Sequence, residues 1–586
     1  MSGKKLTEGY TEIGSVDEVS ENTPRKIDVD GRKIALFHHD GGFHATSLRC
    51  PHMGFPLTDG SVEDGLLTCP WHHARFEVEC GDTLDPFADD VQTYPTVSQN
   101  GTVYVNPTPK RKIDTVEHWR DRLQHGLREG LSLVTAKAVI GLLDRGVEYT
   151  VPVQEGVEFG TQYRSAGWGS GLTTLGVMAN LYPEMDGGDR ERALYVGLSE
   201  VADDCFGEPP FFPQEPLSNT DVSADRLESW FRENIEVRDS DGAERVVRAA
   251  VRSDDVDRRK VTEMLVAAGT DHVYLDGGHT IDFVNKALET LDHVGWSEAD
   301  VVIPSLVPGL AEAARREESS TWRQPIDLVD LRWDFSDELP ELLEIRDDTD
   351  GSWSEPEDFV DVVLGEDPHA ITEALRRAVN EGASASDLSQ ALCYAAAIRV
   401  VQFGTSNEFR DWNTVHHTYT YNNAVLGLAE RVDSPEIYRG VADAALKIYL
   451  DRFLNTPPAE IPEGEEGRDS DEVMDGLMET FEREGREEVD RAGRLTATYL
   501  ESGGDIEELK QSLGHALLRE DVGFHGRQNL EAAFNLHRKT EDPERAEIHL
   551  VATSRYLSAH TPTRRSGEQT FQIARRLHQG ERIHEG

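Results

Sequence analysis

Lysine is nearly missing from this chain. Twelve lysines stand beside 47 arginines in 586 residues, and the 59 basic residues together face 110 acidic ones, a formal net charge of −51. A chain this acidic repels polyanions, so free nucleic acid is excluded as a partner. The acid is spread along the whole sequence rather than gathered in one tail. In dilute buffer such a surface would repel itself, whereas at molar salt the Debye length falls to ~3 Å. Dense carboxylates with few lysines therefore predict a salt-in, halophilic protein; the competing reading is an acidic face for a basic partner. Cysteine is also scarce: five residues, of which Cys80, Cys205 and Cys393 are scattered. That excludes a disulfide scaffold and fits a reducing compartment. No apolar run reaches eighteen residues and the N-terminus has no apolar leader core, so the expectation is a soluble, cytoplasmic protein with no membrane partner. The H-E-x-x-H signature of zinc proteases is absent as well.

What is present is sharper. Cys50-Pro-His52 is followed, sixteen residues later, by Cys69-Pro-Trp-His72. Two thiolates and two neutral imidazoles can hold a [2Fe–2S] cluster, with both cysteines on one iron and both histidines on the other. The same four residues could form a tetrahedral zinc site. Short apolar runs flank the motif. Lys33 to Phe37 and Phe43 to Leu48 are joined across Asp40-Gly41-Gly42, and Tyr94 to Val97 is joined to Thr102 to Val105 across Asn100-Gly101. Both connections are hairpin turn signals.

The two loops, Cys50-Pro-His-Met-Gly54 and Cys69-Pro-Trp-His-His-Ala-Arg-Phe76, resemble the cluster-binding loops of Rieske proteins. The resemblance covers roughly residues 8 to 107 and is closest to soluble Rieske ferredoxins and the ferredoxin-like domain of nitrite reductases. It implies an all-β domain carrying one [2Fe–2S] cluster on Cys50, His52, Cys69 and His72, with Phe55 and Trp71 shielding it and Pro51 and Pro70 shaping the loops. Respiratory Rieske proteins have a disulfide where this chain has Phe55 and Trp71, and a serine where it has Ala74. Fewer hydrogen bonds to the cluster place the expected potential near the low end of the Rieske range, ~−150 mV.

Past Pro107-Thr-Pro109-Lys-Arg-Lys112 the apolar period becomes helical, in segments such as Trp119 to Leu143, Arg259 to Ala268, His369 to Val401 and Ser470 to Ser502. The expected fold is thus multidomain: a Rieske domain at 1–108, then a large, mostly α-helical region in two lobes. The acidic stretch Asp330 to Asp361, with Pro340, Gly351 and Pro356, is the natural junction, giving lobes at 112–345 and 357–586. An internal match supports duplication. Phe159-Gly-Thr161 recurs as Phe403-Gly-Thr405, Trp168 as Trp412, Thr174 as Thr418, Gly197 as Gly440, Pro209-Pro210 as Pro457-Pro458, and His279 as His525, at shifts near 244. His279-Thr-x-x-Phe283-x-Asn285 also resembles His417-Thr-x-x-Tyr421-x-Asn423.

The repeated histidines make His272, His279, His416, His417, His515 and His525 candidates for one central cavity. His272, with Asp271 or Asp276 adding a carboxylate, would suit non-haem iron or another metal. His279 and His417 are the firmest members and His515 or His537 the least firm. The alternative for any one of them is a helix cap or a packed polar residue. Glu366-x-x-His369 and Glu581-x-x-His584 do not fit a di-iron site, the first because it contains Pro368, the second because of its terminal place. Gly167-Trp-Gly-Ser-Gly171 lacks the context of a phosphate loop and is read as a turn. Ring-hydroxylating oxygenases would need a second histidine soon after Asp276-Gly-Gly-His279, and none follows until His293. The helical region also resembles extensions fused to Rieske domains in bacterial and archaeal proteins, and more faintly questin-oxidase-like monooxygenases, through the Gly278-His279 helix start.

These readings converge on an oxidoreductase whose cluster, fed by a ferredoxin reductase or another donor, passes single electrons into a helical, oxygenase-like domain acting on a small organic substrate. The rival is a redox-responsive scaffold or binding protein with the cluster as sensor.

Overall fold

The computed structural model describes residues 9–21, 23–110, 115–218, 221–349, 353–408 and 410–581. The Arg111-Lys112 end of the linker, Gly351 and His584 lie outside them. The chain divides into two compact units, residues 1–152 with 569–586, and residues 153–568.

The first unit opens with ten strands: β1 (Thr11–Ser15), β2 (Arg25–Val29), β3 (Arg32–His39), β4 (Gly42–Ser47), β5 (Ser61–Glu63), β6 (Leu66–Thr68), β7 (Arg75–Glu77), β8 (Thr93–Tyr94), β9 (Thr96–Gln99) and β10 (Thr102–Val105). They form three antiparallel sheets, ordered β1-β10-β9, β2-β3-β4-β8 and β5-β6-β7. The hairpins rest on turn chemistry. Asp40-Gly41 and Asn100-Gly101 both take positive φ (50° and 70°; 52° and 80°), as do Asp30-Gly31 and Asp64-Gly65. Paired positive φ values match the twist of the flanking strands, and Asp-Gly or Asn-Gly adopts them most readily. The run Tyr94 to Val97 is not one strand. Pro95, which has no N–H, interrupts it, so Tyr94 pairs with β4 while Val97 pairs with β10.

Helices α1 (Val116–Glu129) and α2 (Ser132–Asp144) belong to this first unit, although the sequence places them in a helical lobe. Polar burial explains their attachment. Arg122 on α1 donates to Asp89 at 2.6 Å and to the carbonyls of Pro86 (3.0 Å) and Ala88 (3.2 Å). Lys137 on α2 reaches the same carboxylate at 3.5 Å. Gly130, at φ 63°, ends α1 and breaks the expected Trp119 to Leu143 helix in two. Positive-φ glycines also split the other long segments, Gly382 between helices Pro368–Asn380 and Ala385–Val401, and Gly485 before Arg486–Glu501.

In the second unit four helices form a ring: α3 (Ser170–Leu181), α4 (His279–Val294), α5 (Trp412–Ala429) and α6 (Phe524–Lys539), with α3 on α4, α4 on α5, α5 on α6 and α6 on α3. Small residues allow the close crossings. A Cβ on Gly176 would meet Thr290 Oγ1 at 2.5 Å, and one on Gly427 would meet Asn285 Oδ1 at 2.6 Å. Residues 153–568 form one unit spanning both expected lobes. Most of the expected junction is instead helix Leu328–Asp347, which carries Pro340 in its interior.

The ring interior is charged. Lys286, 1% exposed, donates to Glu289 at 2.8 Å and to Glu531 at 2.6 Å. Asn180 donates to both carboxylates, at 2.7 and 3.0 Å. Burial opposes the ammonium charge, yet the two glutamates hold Lys286 above its ordinary pKa. Lys286→Met would leave two buried carboxylates facing each other and is expected to destabilise the protein by about 3–5 kcal/mol, measured by chemical denaturation in high salt.

Candidate functional site

The first site is built on two hairpin loops held in matching ways. Cys50 N–H donates to the Phe55 carbonyl at 2.8 Å and Gly54 N–H to the Cys50 carbonyl at 2.7 Å. In the second loop Cys69 N–H donates to Ala74 at 2.9 Å and His73 N–H to Cys69 at 3.0 Å. These bonds curl each loop so that Cys50 and Cys69 are buried side by side. The two thiols share a hydrogen bond that raises Cys50 and lowers Cys69, and the backbone N–H groups of Trp71 and His72 also favour the Cys69 thiolate. The rings of His52 and His72 lie with centroids 4.8 Å apart. His52 Nδ1 is buried with no hydrogen-bond partner. A buried imidazole nitrogen with no proton partner is what a metal ligand presents. Burial, then the charges of Lys137 and His72, bring His52 down to about 4. Trp71 lies 4.0 Å from His72 and 5.9 Å from Phe55, and is 40% exposed.

Sequence reasoning missed Lys137. Its ammonium donates to the carbonyls of Pro51 at 2.5 Å and His52 at 2.8 Å, so a helix beyond the β domain grips a ligand loop. Only the scarcity of lysine could have drawn attention to it. The C-terminal helix contributes too, with Leu577 Cδ2 3.0 Å from where a Cβ on Gly54 would stand.

A sequence profile described as the Rieske [2Fe-2S] domain matches residues 9–95. The chain is 32% identical over 104 residues to the ferredoxin component of the alkene monooxygenase system of Xanthobacter autotrophicus, covering 85% of that protein and 18% of this one. It is 37% identical over 95 residues to the 3-phenylpropionate/cinnamic acid dioxygenase ferredoxin subunit of Photorhabdus laumondii, covering 90% of it and 16% of this chain. The chain belongs to the Rieske [2Fe–2S] family. Its all-β Rieske domain precedes a large helical region, as the loops implied. Among solved structures, the ferredoxin of carbazole 1,9a-dioxygenase from Nocardioides aromaticivorans is 24% identical, fully covered by 17% of this chain, with a TM-score of 0.17.

The second constellation lies in the helical unit. One potential ligand atom from each of His279, His417 and His525 falls within 4.8 Å of the others, and His417 Nε2 stands 2.9 Å from His525 Nε2. A strained turn aims the first of them. Tyr274, Asp276, Gly277 and Gly278 all have positive φ (42°, 48°, 69° and 97°) immediately before α4. Such φ values in non-glycine residues cost energy and concentrate at functional sites. A Cβ on Gly278 would meet the Tyr274 hydroxyl at 2.9 Å. Burial holds His279 and His525 down to about 4 and His417 down to about 2, so all three are neutral donors at neutral pH.

The other candidates fall elsewhere. His416 is fully buried 5.1 Å from the His525 ring, with Nδ1 at 3.4 Å from Asn529, outside the converging group. His272 is bonded at both nitrogens, by Glu236 at 2.6 Å and by Glu317, because acidic neighbours capture it. Asp271 is taken by Arg232 and Arg439. Asp276 lines a cavity of about 380 Å³ with His279 and His525, and burial pushes its carboxyl up. His515 pairs with Asp189 at 2.8 Å near the surface, and His537 is held down to about 4 by burial and Lys510. The Gly167–Gly171 segment is a turn that runs into the first residues of α3, with Gly171 N–H on Asp204.

Two expectations follow. Lys137→Met removes a buried positive charge from the loop of His52 and should shift the cluster potential downward, read by redox titration. His279, His525 and His560 all sit near 4 when folded, below an unfolded value of about 6.5. The unfolded chain therefore binds more protons as the pH falls from about 6.5 to 4, and stability is lost through that window. Denaturation midpoints of metal-free protein should drop between pH 7 and pH 5, and His279→Gln/His525→Gln should flatten that slope.

Proposed function

We propose that this protein is an oxidoreductase in which a Rieske cluster feeds single electrons to a metal held by His279, His417 and His525, for oxygen-dependent oxidation of a small organic substrate. Cys50 and Cys69 serve as thiolate ligands and His52 and His72 as imidazole ligands. The buried thiols, the backbone N–H groups around Cys69 and the orphaned His52 Nδ1 fit that role. The cluster, when bound, supplies one-electron redox chemistry at a potential set by ligands, hydrogen bonds and burial. The Rieske relatives named as ferredoxin components of monooxygenase and dioxygenase systems support the electron-transfer half and a reductase as donor.

The observation that carries the second half is the convergence of three neutral imidazoles from helices far apart in sequence. Three such ligands leave coordination positions open, the arrangement of catalytic rather than structural metal sites. Cavities of about 590 and 380 Å³ border these histidines, one including His417 and the other His279 and His525. Fusion of donor and acceptor in one chain raises their effective concentration into the millimolar range. The pairing of Thr174 with Thr418 and of His279 with His525, which makes α3 equivalent to α5 and α4 to α6 within residues 153–568, also supports reading the helical region as a duplicated lobe, without α1 and α2.

Protein purified anaerobically in molar potassium chloride should contain two irons in a centre with a rhombic reduced spectrum, plus one further metal ion per chain. His417→Ala should remove the further metal and leave the spectrum unchanged, while His72→Cys should retain the further metal and lower the cluster potential. Two irons only, with no substrate-dependent oxygen uptake and a co-purifying protein, would instead favour the redox-responsive scaffold.

A further inference from the structure

The 590 Å³ cavity beside His417 has walls of Tyr274, Trp322, Pro325, Leu450 and Phe453, and three charged residues reach it: Arg316, Lys447 and Asp451. Two of the three cancel. Lys447 and Asp451 form an ion pair, and both also bond Thr418. Arg316 is different. Among the described residues no carboxylate lies within ion-pair distance of its guanidinium, although three charged neighbours along the chain are engaged. Arg315 pairs with Glu236 at 3.1 Å, Glu317 with His272, and Arg323 with Asp327 at 2.9 Å. Asp276 senses the Arg316 charge, but burial raises its carboxyl and it forms no ion pair with the arginine.

The position is built rather than incidental. The guanidinium passes over Gly277, where its Nη2 sits 2.7 Å from the place a Cβ would occupy, so any side chain at 277 would displace it. Its field reaches His279 and His417. In a chain with 110 acidic and 59 basic residues, partners for an arginine abound. A guanidinium left without one, in a cavity walled by aromatic rings, has its fork of donors free for a ligand, and that fork matches a carboxylate in bidentate fashion.

We propose that this cavity binds an aromatic carboxylate, its carboxylate on Arg316 and its ring against Tyr274, Trp322 and Phe453. This deepens the reading above by giving the substrate class; the binding itself requires neither the cluster nor a metal. The ring then lies in the same cavity that His417 lines.

The full-length protein, with and without prior EDTA treatment, should be titrated in molar potassium chloride with 2-naphthoate and with its neutral counterpart 2-naphthamide, following naphthalene fluorescence. Naphthoate should bind at least tenfold more tightly than the amide in both preparations. Arg316→Gln should weaken naphthoate at least tenfold and leave the amide unchanged, whereas Arg226→Gln, remote from the cavity lining, should change neither. Circular dichroism checks that each variant is folded, and Arg316→Lys, which keeps the charge but loses the bidentate fork, should also weaken naphthoate while leaving the amide unchanged. Equal affinity for the two probes, binding of neither, naphthoate binding that survives Arg316→Gln, or binding abolished by EDTA would each overturn the assignment. A protein that binds naphthoate through Arg316 but holds no third metal would sink the oxygenase reading and leave this one standing.

Discussion

A buried ammonium organises each unit, and the rest of the structure is arranged to keep it paired. In the helical unit Lys286 sits between Glu289 and Glu531, which come from helices α4 and α6. Removing any member leaves a charge stranded in low dielectric, so the helices are pinned in register as well as in proximity. That register matters above the ion cluster, where the same two helices deliver His279 and His525. In the first unit Lys137 plays the corresponding part, bridging Asp89 and the carbonyls of Pro51 and His52.

This use of lysine gives the composition a second meaning. Four of the twelve lysines, at 137, 286, 447 and 510, are buried. On the surface, arginine has largely replaced lysine, and its planar fork suits the many exposed pairs with carboxylates. A compact ammonium on a flexible stem suits a cramped interior where several oxygens converge on one point. At these four buried sites exchange of lysine for arginine is not conservative.

How much of this was legible in the sequence depends on the range of the interaction. Cys50-Pro-His52 and Cys69-Pro-Trp-His72 announce their chemistry because all four ligands lie within 23 residues. Asp40-Gly41 and Asn100-Gly101 specify their hairpins because a turn is decided by the residues within it. The histidine triad was only half legible. The repeat between His279 and His525 pointed to both, and the second pattern to His417, but nothing local separates His417 from His416, or His272 from the rest. Rotation along α5 decides the first, placing His416 in the fully buried layer behind the triad. Capture by Glu236 and Glu317 decides the second, and those acids are 36 and 45 residues away. Helix ends were misjudged for a related reason: an apolar period continues across Gly130 and Gly382, and only the positive φ of those glycines reveals the break.

Arg316 belongs to the class of features that no sequence pattern exposes, because its significance is the absence of a partner. Charge balance makes that absence informative. Where bases outnumber acids, an unpaired arginine carries little meaning; where acids exceed bases nearly twofold, most arginines are near a carboxylate simply by density. Of the acids near the open guanidinium, three are occupied elsewhere, Glu317 on His272, Glu236 on Arg315 and Asp451 on Lys447, while Asp276 is left unpaired with its carboxyl raised by burial. The pairing that holds His272 apart from the histidine cluster thus also keeps Glu317 off Arg316. A free guanidinium beside neutral imidazoles gives the cavity a local positive charge, which gives an anionic ligand a reason to reach it despite the charge of the whole.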